Sequence, residues 1–157
     1  MEHFSQQRDD FFLTTDKQQL NNDEMYELLK TTLWAHLRSR EVVDVSVENS
    51  LVFGILHQGT QIAMARVVTD YRTFAWICDV VVMQKFQGLG FGRWLMDSIE
   101  VHPALAKVRR YLLCTRTAKG LYAKLGYEEL PNNETTWMIR IFPEREEKQL
   151  EKTEMQS

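Results

Sequence analysis

The sequence predicts an α/β protein with a mixed, largely antiparallel twisted sheet of about six to seven strands and about four helices. Three observations predict it. Between Val80 and Leu95 the chain reads VVVMQKFQGLGFGRWL, a β-branched run, then a glycine-rich turn, then a helical pattern. Upstream, residues 51–56 and 61–68 flank Gln58-Gly59, a hairpin signal, and residues 74–83 make the third member of an antiparallel meander. Downstream lies the apolar run Tyr111-Leu112-Leu113-Cys114, so the path from Val82 through Trp94 to Leu112 reads as a right-handed parallel crossover.

The remaining elements follow in order. The first ten residues, MEHFSQQRDD, read as mobile, and 11–15 as a first strand. Asn21 with Glu24 three residues later is a capping signal, and Met25, Leu28, Leu29 and Leu33 recur at helical spacing. Ser39 offers an N-cap to a second helix over 40–48. Residues 69–73 turn the chain into 74–83, whose apolar residues barely alternate, so both faces of that strand should be covered. Phe91, Trp94, Leu95, Ser98 and Ile99 mark a third helix that His102-Pro103 stops. Residues 118–125 form a short helix closed by Gly126. Residues 127–130 and 135–142 read as strands across Pro131-Asn132-Asn133. The organisation expected is a single domain over 1–143 and a charged, mobile tail over 144–157.

Composition narrows the function classes. Apolar residues at 44% and charged residues at 26% are ordinary for a globular domain. A net charge of −3 leaves no basic excess for counterion release, which argues against a nucleic-acid partner. The apolar runs are too short for a membrane span, and the polar N-terminus has no apolar signal core. Cys78 and Cys114 lie far apart, without metal-ligand spacing, and read as buried free thiols; no metal is expected, and the set points to the cytoplasm. His36, His57 and His102 read as surface histidines.

The glycine turn carries the chemistry. A helix start presents free amides and the positive end of its dipole, and glycines clear the way for an anion. The Walker A loop requires Gly-Lys-Ser/Thr, whereas Gly92 is followed by Arg93-Trp94. A dinucleotide fingerprint requires GxGxxG and an acidic residue after the next strand, whereas this turn reads GxGxG and the next strand leads into Thr115-Arg116. The structural alternative is that the glycines serve only a tight turn and close helix–strand packing.

Gln87-x-x-Gly90-x-Gly92 after a strand resembles the acetyl-CoA pyrophosphate loop of the GNAT superfamily of N-acetyltransferases. Leu121-Tyr122-Ala123-Lys124-Leu125-Gly126-Tyr127 resembles that superfamily's second motif. The segment Arg66-Val67-Val68-Thr69-Asp70-Tyr71, with Cys78-Asp79-Val80, resembles a bacterial GNAT subgroup of mostly unassigned substrate. The likeness runs over about residues 51–141, with Gln84 where the superfamily often has proline. It implies a GNAT-like sheet and an acetyl-CoA-dependent N-acetyltransferase acting on a primary amine by direct attack in a ternary complex. The alternative is a CoA-binding regulatory module without catalysis.

The resemblance distributes the roles. Gln87, Gly88, Leu89, Gly90, Phe91 and Gly92 would face the pyrophosphate through their amides, with Arg93 as an added charge or a solvated surface arginine. Val80, Val81 and Val82 would lend main-chain groups to the pantetheine arm and a backbone N–H to the acetyl carbonyl. Tyr122 would be the general acid to the departing thiolate. Asp79, inside an apolar strand, is either an amine-proton acceptor, an ammonium anchor or a structural carboxylate paired with an arginine such as Arg66. Trp34, Tyr71, Phe74 and Trp76, with Asp70 for charge, form a candidate acceptor pocket or ordinary core and rim packing. Lys119 reads as solvated or as a CoA phosphate contact. The expected partners are an amine-bearing small molecule or peptide, with no nucleic acid and no membrane; a homodimer is compatible with the family.

Overall fold

A computed structural model describes residues 3–130 and 136–140. The chain divides into two compact units, Met1–Leu113 and Cys114–Ser157. The first unit holds a six-stranded sheet in the order β1-β2-β3-β4-β5-β6. Its strands are β1 Ser5–Arg8, β2 Phe11–Thr14, β3 Leu51–His57, β4 Thr60–Thr69, β5 Ala75–Val82 and β6 Tyr111–Leu112. Its helices are α1 Asn22–Lys30, α2 Arg40–Glu48 and α3 Phe91–Val101, with short 3₁₀ turns at Gln84–Phe86 and Pro103–Leu105. The second unit contributes α4, Lys119–Lys124.

Neighbouring strands are antiparallel from β1 to β5, and β5 pairs with β6 in parallel, as a β–α–β connection requires. The Gln58-Gly59 turn is left-handed at both residues (φ 51° and 81°), the conformation of a two-residue hairpin that matches strand twist. One face of the sheet carries α1 and α2 over a core of Met25, Leu28, Leu29, Val43, Val47, Val52, Met64 and Val81. The helix α3 contacts β3, β4 and β5 and buries Phe91, Trp94, Leu95, Met96 and Ile99. No residue of β5 is exposed, which fits a strand with both faces covered.

Residues 5–8 form a strand where a mobile segment was expected. Ser5–Arg8 pairs with Phe11–Thr14 around Asp9, whose left-handed φ of 51° an aspartate tolerates. Gln6 accepts from the Trp94 indole at 2.6 Å and from Ser98 at 3.1 Å, and the Arg8 guanidinium lies 4.4 Å from the Trp94 ring. These partners lie about 90 residues away in the chain, outside any local pattern.

Other expectations are corrected in kind. Leu33 lies beyond the end of α1 and is 79% exposed, so the helical spacing overran its stop at Thr31. Only Tyr111–Leu112 pairs of the expected strand 111–114. Among the described residues, 127–130 and 136–140 are in no strand. Residues 131–135 and 141–157, including the expected turn and tail, lie outside the described residues. Both cysteines are free, but neither is fully buried as expected: Cys78 is half-buried and Cys114 is exposed. His102 is buried, not superficial; its Nδ1 accepts from the Ala104 amide at 3.2 Å and caps the turn after α3. Among the described residues no helix is long and apolar enough to cross a membrane, and no group of three or more His, Cys, Asp or Glu could hold a metal.

Candidate functional site

The site is built on an irregularity in β5. Cys78 pairs with Arg66 and Val81 with Met64, so Asp79 and Val80 together oppose Ala65. This is a β-bulge, and Asp79 sits in it with a left-handed φ of 54°. The extra residue turns Val81 towards Met64 and the α1–α2 core, whereas unbroken alternation would place it on the Ile77 face.

On its other edge β5 pairs with β6 only at Ala75 and Trp76. From Ile77 to Val82 that edge has no strand partner among the described residues. Met83 donates its N–H to Ile62 of β4 at 2.7 Å, so by alternation the main-chain groups of Val82 and Val80 point to the open edge. Gln87 closes this stretch: its carboxamide Nε2 donates to the Val82 carbonyl at 2.9 Å.

The chain then enters the glycine loop. Gly88 and Gly90 have φ of 76° and 90°, and Gly90 is the N-cap of α3. A Cβ at either position would meet open space. Close packing therefore does not explain these two glycines; left-handed backbone does, and their outer surface is left bare. The contrast with the other helices is electrostatic. Asn21 caps α1 by accepting from Asp23 and Glu24 amides, and Ser39 caps α2 from Val42, each helix with acidic residues in its first turn. The α3 start has neither a side-chain cap nor an acidic first turn. The amides of Phe91, Gly92 and Arg93 have no intrahelical acceptor, and the positive end of the dipole is not neutralised by its own helix. Leu89 is 66% exposed on this loop, and Phe91 packs into a cluster with Phe11 and Phe86. Arg93 is engaged by Asp97 at 2.7 Å along the helix surface.

Asp79 is 4% exposed and held by two guanidiniums. Arg38 Nη1 donates to both carboxylate oxygens at 2.9 Å, and Arg66 Nε donates to Oδ2 at 2.8 Å. Arg66 Nη1 also donates to the Ser50 hydroxyl at 2.9 Å. Of the three roles open to Asp79, this geometry is that of a paired structural carboxylate. Arg38 had no signal in the sequence: it lies 41 residues from Asp79 in an unpatterned segment. Burial pushes the neighbouring Cys78 thiol up to about 11, so it stays protonated and is a poor nucleophile.

The candidate pocket residues are dispersed. Asp70 and Tyr71 lie in the β4–β5 turn, at the far end of β5 from the glycine loop, roughly 20 Å along the strand from Val82. Asp70 is occupied by its own turn, accepting from the Thr73 hydroxyl at 2.6 Å and from the amides of Arg72, Thr73 and Phe74. These bonds, the Thr73 hydroxyl first, hold its carboxyl far below the usual range. Tyr71 has a left-handed φ of 62° and lines a surface cavity with Asp70, Arg72, Pro103 and Lys107. Asp70 and Tyr71 are thus not brought to the loop. Trp76 is half-buried and is the last residue of β5 to pair with β6, and Trp34 is 56% exposed in the segment joining α1 to α2.

In the second unit, Tyr122 is buried on α4 and its ring meets Tyr127 edge-on at 5.9 Å between centroids. The helix closes through Gly126 (φ 87°), with the Tyr127 amide donating to the Tyr122 carbonyl at 3.1 Å. Burial raises the Tyr122 phenol above its ordinary value, so it carries its proton at neutral pH. Lys119 is exposed and pairs with Glu129.

Comparison with known proteins agrees on one family. The family described as Acetyltransferase (GNAT) domain matches residues 48–129. A GNAT-family protein from Xanthomonas campestris pv. campestris shares 36% identity, with 85% of this chain and 94% of that chain covered and a TM-score of 0.79. An acetyltransferase sequence from Gibberella zeae is 24% identical over 144 residues, covering 78% of this chain and 81% of its own. A GNAT-family acetyltransferase from Elizabethkingia anophelis, solved with acetyl-CoA bound, shares the fold at 17% identity, 76% and 74% coverage and a TM-score of 0.57.

Proposed function

This chain belongs to the GNAT acetyltransferase family, and from that premise we propose that it transfers the acetyl group of acetyl-CoA to a primary amine by direct attack in a ternary complex. The observation that carries the proposal is the open edge of β5 beyond Trp76, running into a bare, left-handed glycine loop and an uncapped helix start. A chain rich in amides pairs with such an edge as an added strand, and a diphosphate suits the helix start. The residues present fit both parts of the cosubstrate.

The chain's own groups then divide the work. Val80 and Val82 offer outward main-chain groups along the edge, and a backbone N–H beside the bulge polarises the acetyl carbonyl. Gln87, bound to Val82, holds the strand exit and the loop in register while amides 88–93 take the diphosphate. The amine nitrogen bonds to the carbonyl carbon, the C–S bond breaks, and the amine gives up one proton. Tyr122, assigned on its place in the second motif and its retained proton, protonates the leaving thiolate. Asp79 is assigned to positioning, and the amine proton leaves through water. Trp34 and Trp76 are the acceptor contacts retained from the sequence.

We also assign 1–143 to one catalytic domain, and the two free thiols fit a reducing, cytoplasmic setting. A second reading, a CoA-binding module without turnover, gains from one fact: Asp79, a candidate base, is engaged by Arg38 and Arg66. One assay separates the two. Acetyl-CoA with a panel of small amines, amino acids and peptides is expected to release free thiol in step with an acetylated product found by mass. Saturable CoA binding with no thiol release across the panel would favour the module.

A further inference from the structure

The segment between α1 and α2 carries exposed Leu33 (79%), Trp34 (56%) and Leu37 (39%). Exposed apolar side chains in one short segment lose contact with water only when something packs on them. Several of its hydrogen bonds are local: Thr32 Oγ1 donates to the Leu29 carbonyl and accepts from the Ala35 amide, and the Arg38 amide donates to the Ala35 carbonyl. Buried Ala35 and the Arg38 guanidinium tie it to the body of the unit. Among the described residues Arg38 reaches one carboxylate, Asp79, in the bulge of β5.

Asp79 does not need Arg38 for charge balance alone. Arg66, 12% exposed, already supplies one guanidinium from the adjacent strand and is itself braced by Ser50, whose hydroxyl donates to the Ser46 carbonyl in α2 at 2.6 Å. The second guanidinium arrives from the segment that bears Trp34. A buried carboxylate shared by two arginines is a costly arrangement to break from either side. It joins two elements that must be held in fixed relation if an acceptor is to meet an acetyl group at the bulge.

We propose that Arg38 is a positioning residue for the acceptor: through Asp79 it latches segment 31–39, with Trp34, to the bulged part of β5. The proposal rests on the acetyl-transfer reading. It assigns Arg38 no contact with acetyl-CoA and no part in the proton transfers. Because Asp79 and Arg66 remain paired without it, loss of Arg38 frees the segment while the bulge and the glycine loop persist.

The test compares the full chain with Arg38→Ala and Arg38→Lys by hydrogen exchange and by kinetics with the amine that gives most turnover in the wild type. Arg38→Ala is expected to speed exchange over 31–39 by roughly tenfold or more while 77–92 is unchanged. It should raise KM for the amine by roughly tenfold and leave KM for acetyl-CoA alone, with Arg38→Lys recovering part of both effects. Wild-type exchange over 31–39 in Arg38→Ala would overturn the latch. Equal rises in the two KM values, or no recovery in Arg38→Lys, would reduce Arg38 to general stability and also overturn it. If the wild type turns over no amine at all, the enzymatic reading fails by itself, and the exchange measurement still decides whether the latch exists.

Discussion

Asp79→Asn isolates the charge at the centre of the site. Asparagine keeps the shape of aspartate, tolerates the left-handed φ of 54° and retains one acceptor oxygen, so backbone strain and volume do not change. What changes is that Arg38 and Arg66, both within 2.9 Å of the carboxylate, lose their counter-charge. Removing one partner of a buried ion pair costs about 3–5 kcal/mol. Arg66 is 12% exposed and cannot reach water easily, whereas Arg38 is 28% exposed and relaxes towards it. The low end, about 3 kcal/mol, is therefore expected. In a domain of this size that lowers Tm by roughly 6–12 °C, at about 2–4 °C per kcal/mol. Urea titration followed by circular dichroism measures the free energy, with the m-value showing whether the native state stays compact. A loss below about 1 kcal/mol would refute the reasoning, since that is the scale of a solvent-screened surface pair.

Tyr122→Phe should lower kcat by roughly tenfold or more with little change in KM for acetyl-CoA, and wild-type turnover would remove the phenol from the mechanism. Gly90→Glu places a like charge and a side chain where φ is 90° and the helix start is bare, so calorimetric CoA binding should vanish; unchanged affinity would put the phosphate seat elsewhere. His102 is neutral and buried, and burial lowers its pKa below that of the unfolded chain. The unfolded state then takes up the proton first, so stability should fall as pH drops through about 6.5 and flatten below the folded pKa. His102→Gln, which keeps an acceptor for the Ala104 amide, should remove that part of the pH dependence, and an unchanged profile in urea titrations would assign it to other groups.

Elements whose signals are local were legible in the sequence. Ser39 accepts the Val42 amide and the helix runs Arg40–Glu48; Gln58-Gly59 turns β3 into β4; the β-branched run 80–82 ends in glycines with positive φ and starts α3. In each case the cap, turn or φ requirement sits within a few residues of its consequence. What depended on distant partners was not legible. The β1–β2 hairpin is secured by Gln6 against Trp94, and Arg38 finds Asp79 across 41 positions. Glu24 completes the pattern of a capping box with Asn21, but its carboxylate accepts from the Gln61 amide at 2.8 Å, so a local motif was put to tertiary use. The bulge is the sharpest case. Nothing in the run ICDVVV marks Asp79 as left-handed, yet that one residue decides which way Val80 and Val81 face.

The most direct measurement is an amide-resolved NMR titration of the full chain with CoA. The account predicts saturable binding, with the largest shift changes and slowed exchange at the amides of Ile77 to Val82 and Gly88 to Arg93. Saturation with those amides unmoved and the changes gathered instead around Asp70, Tyr71 and Lys107, or no saturation at all, would contradict it.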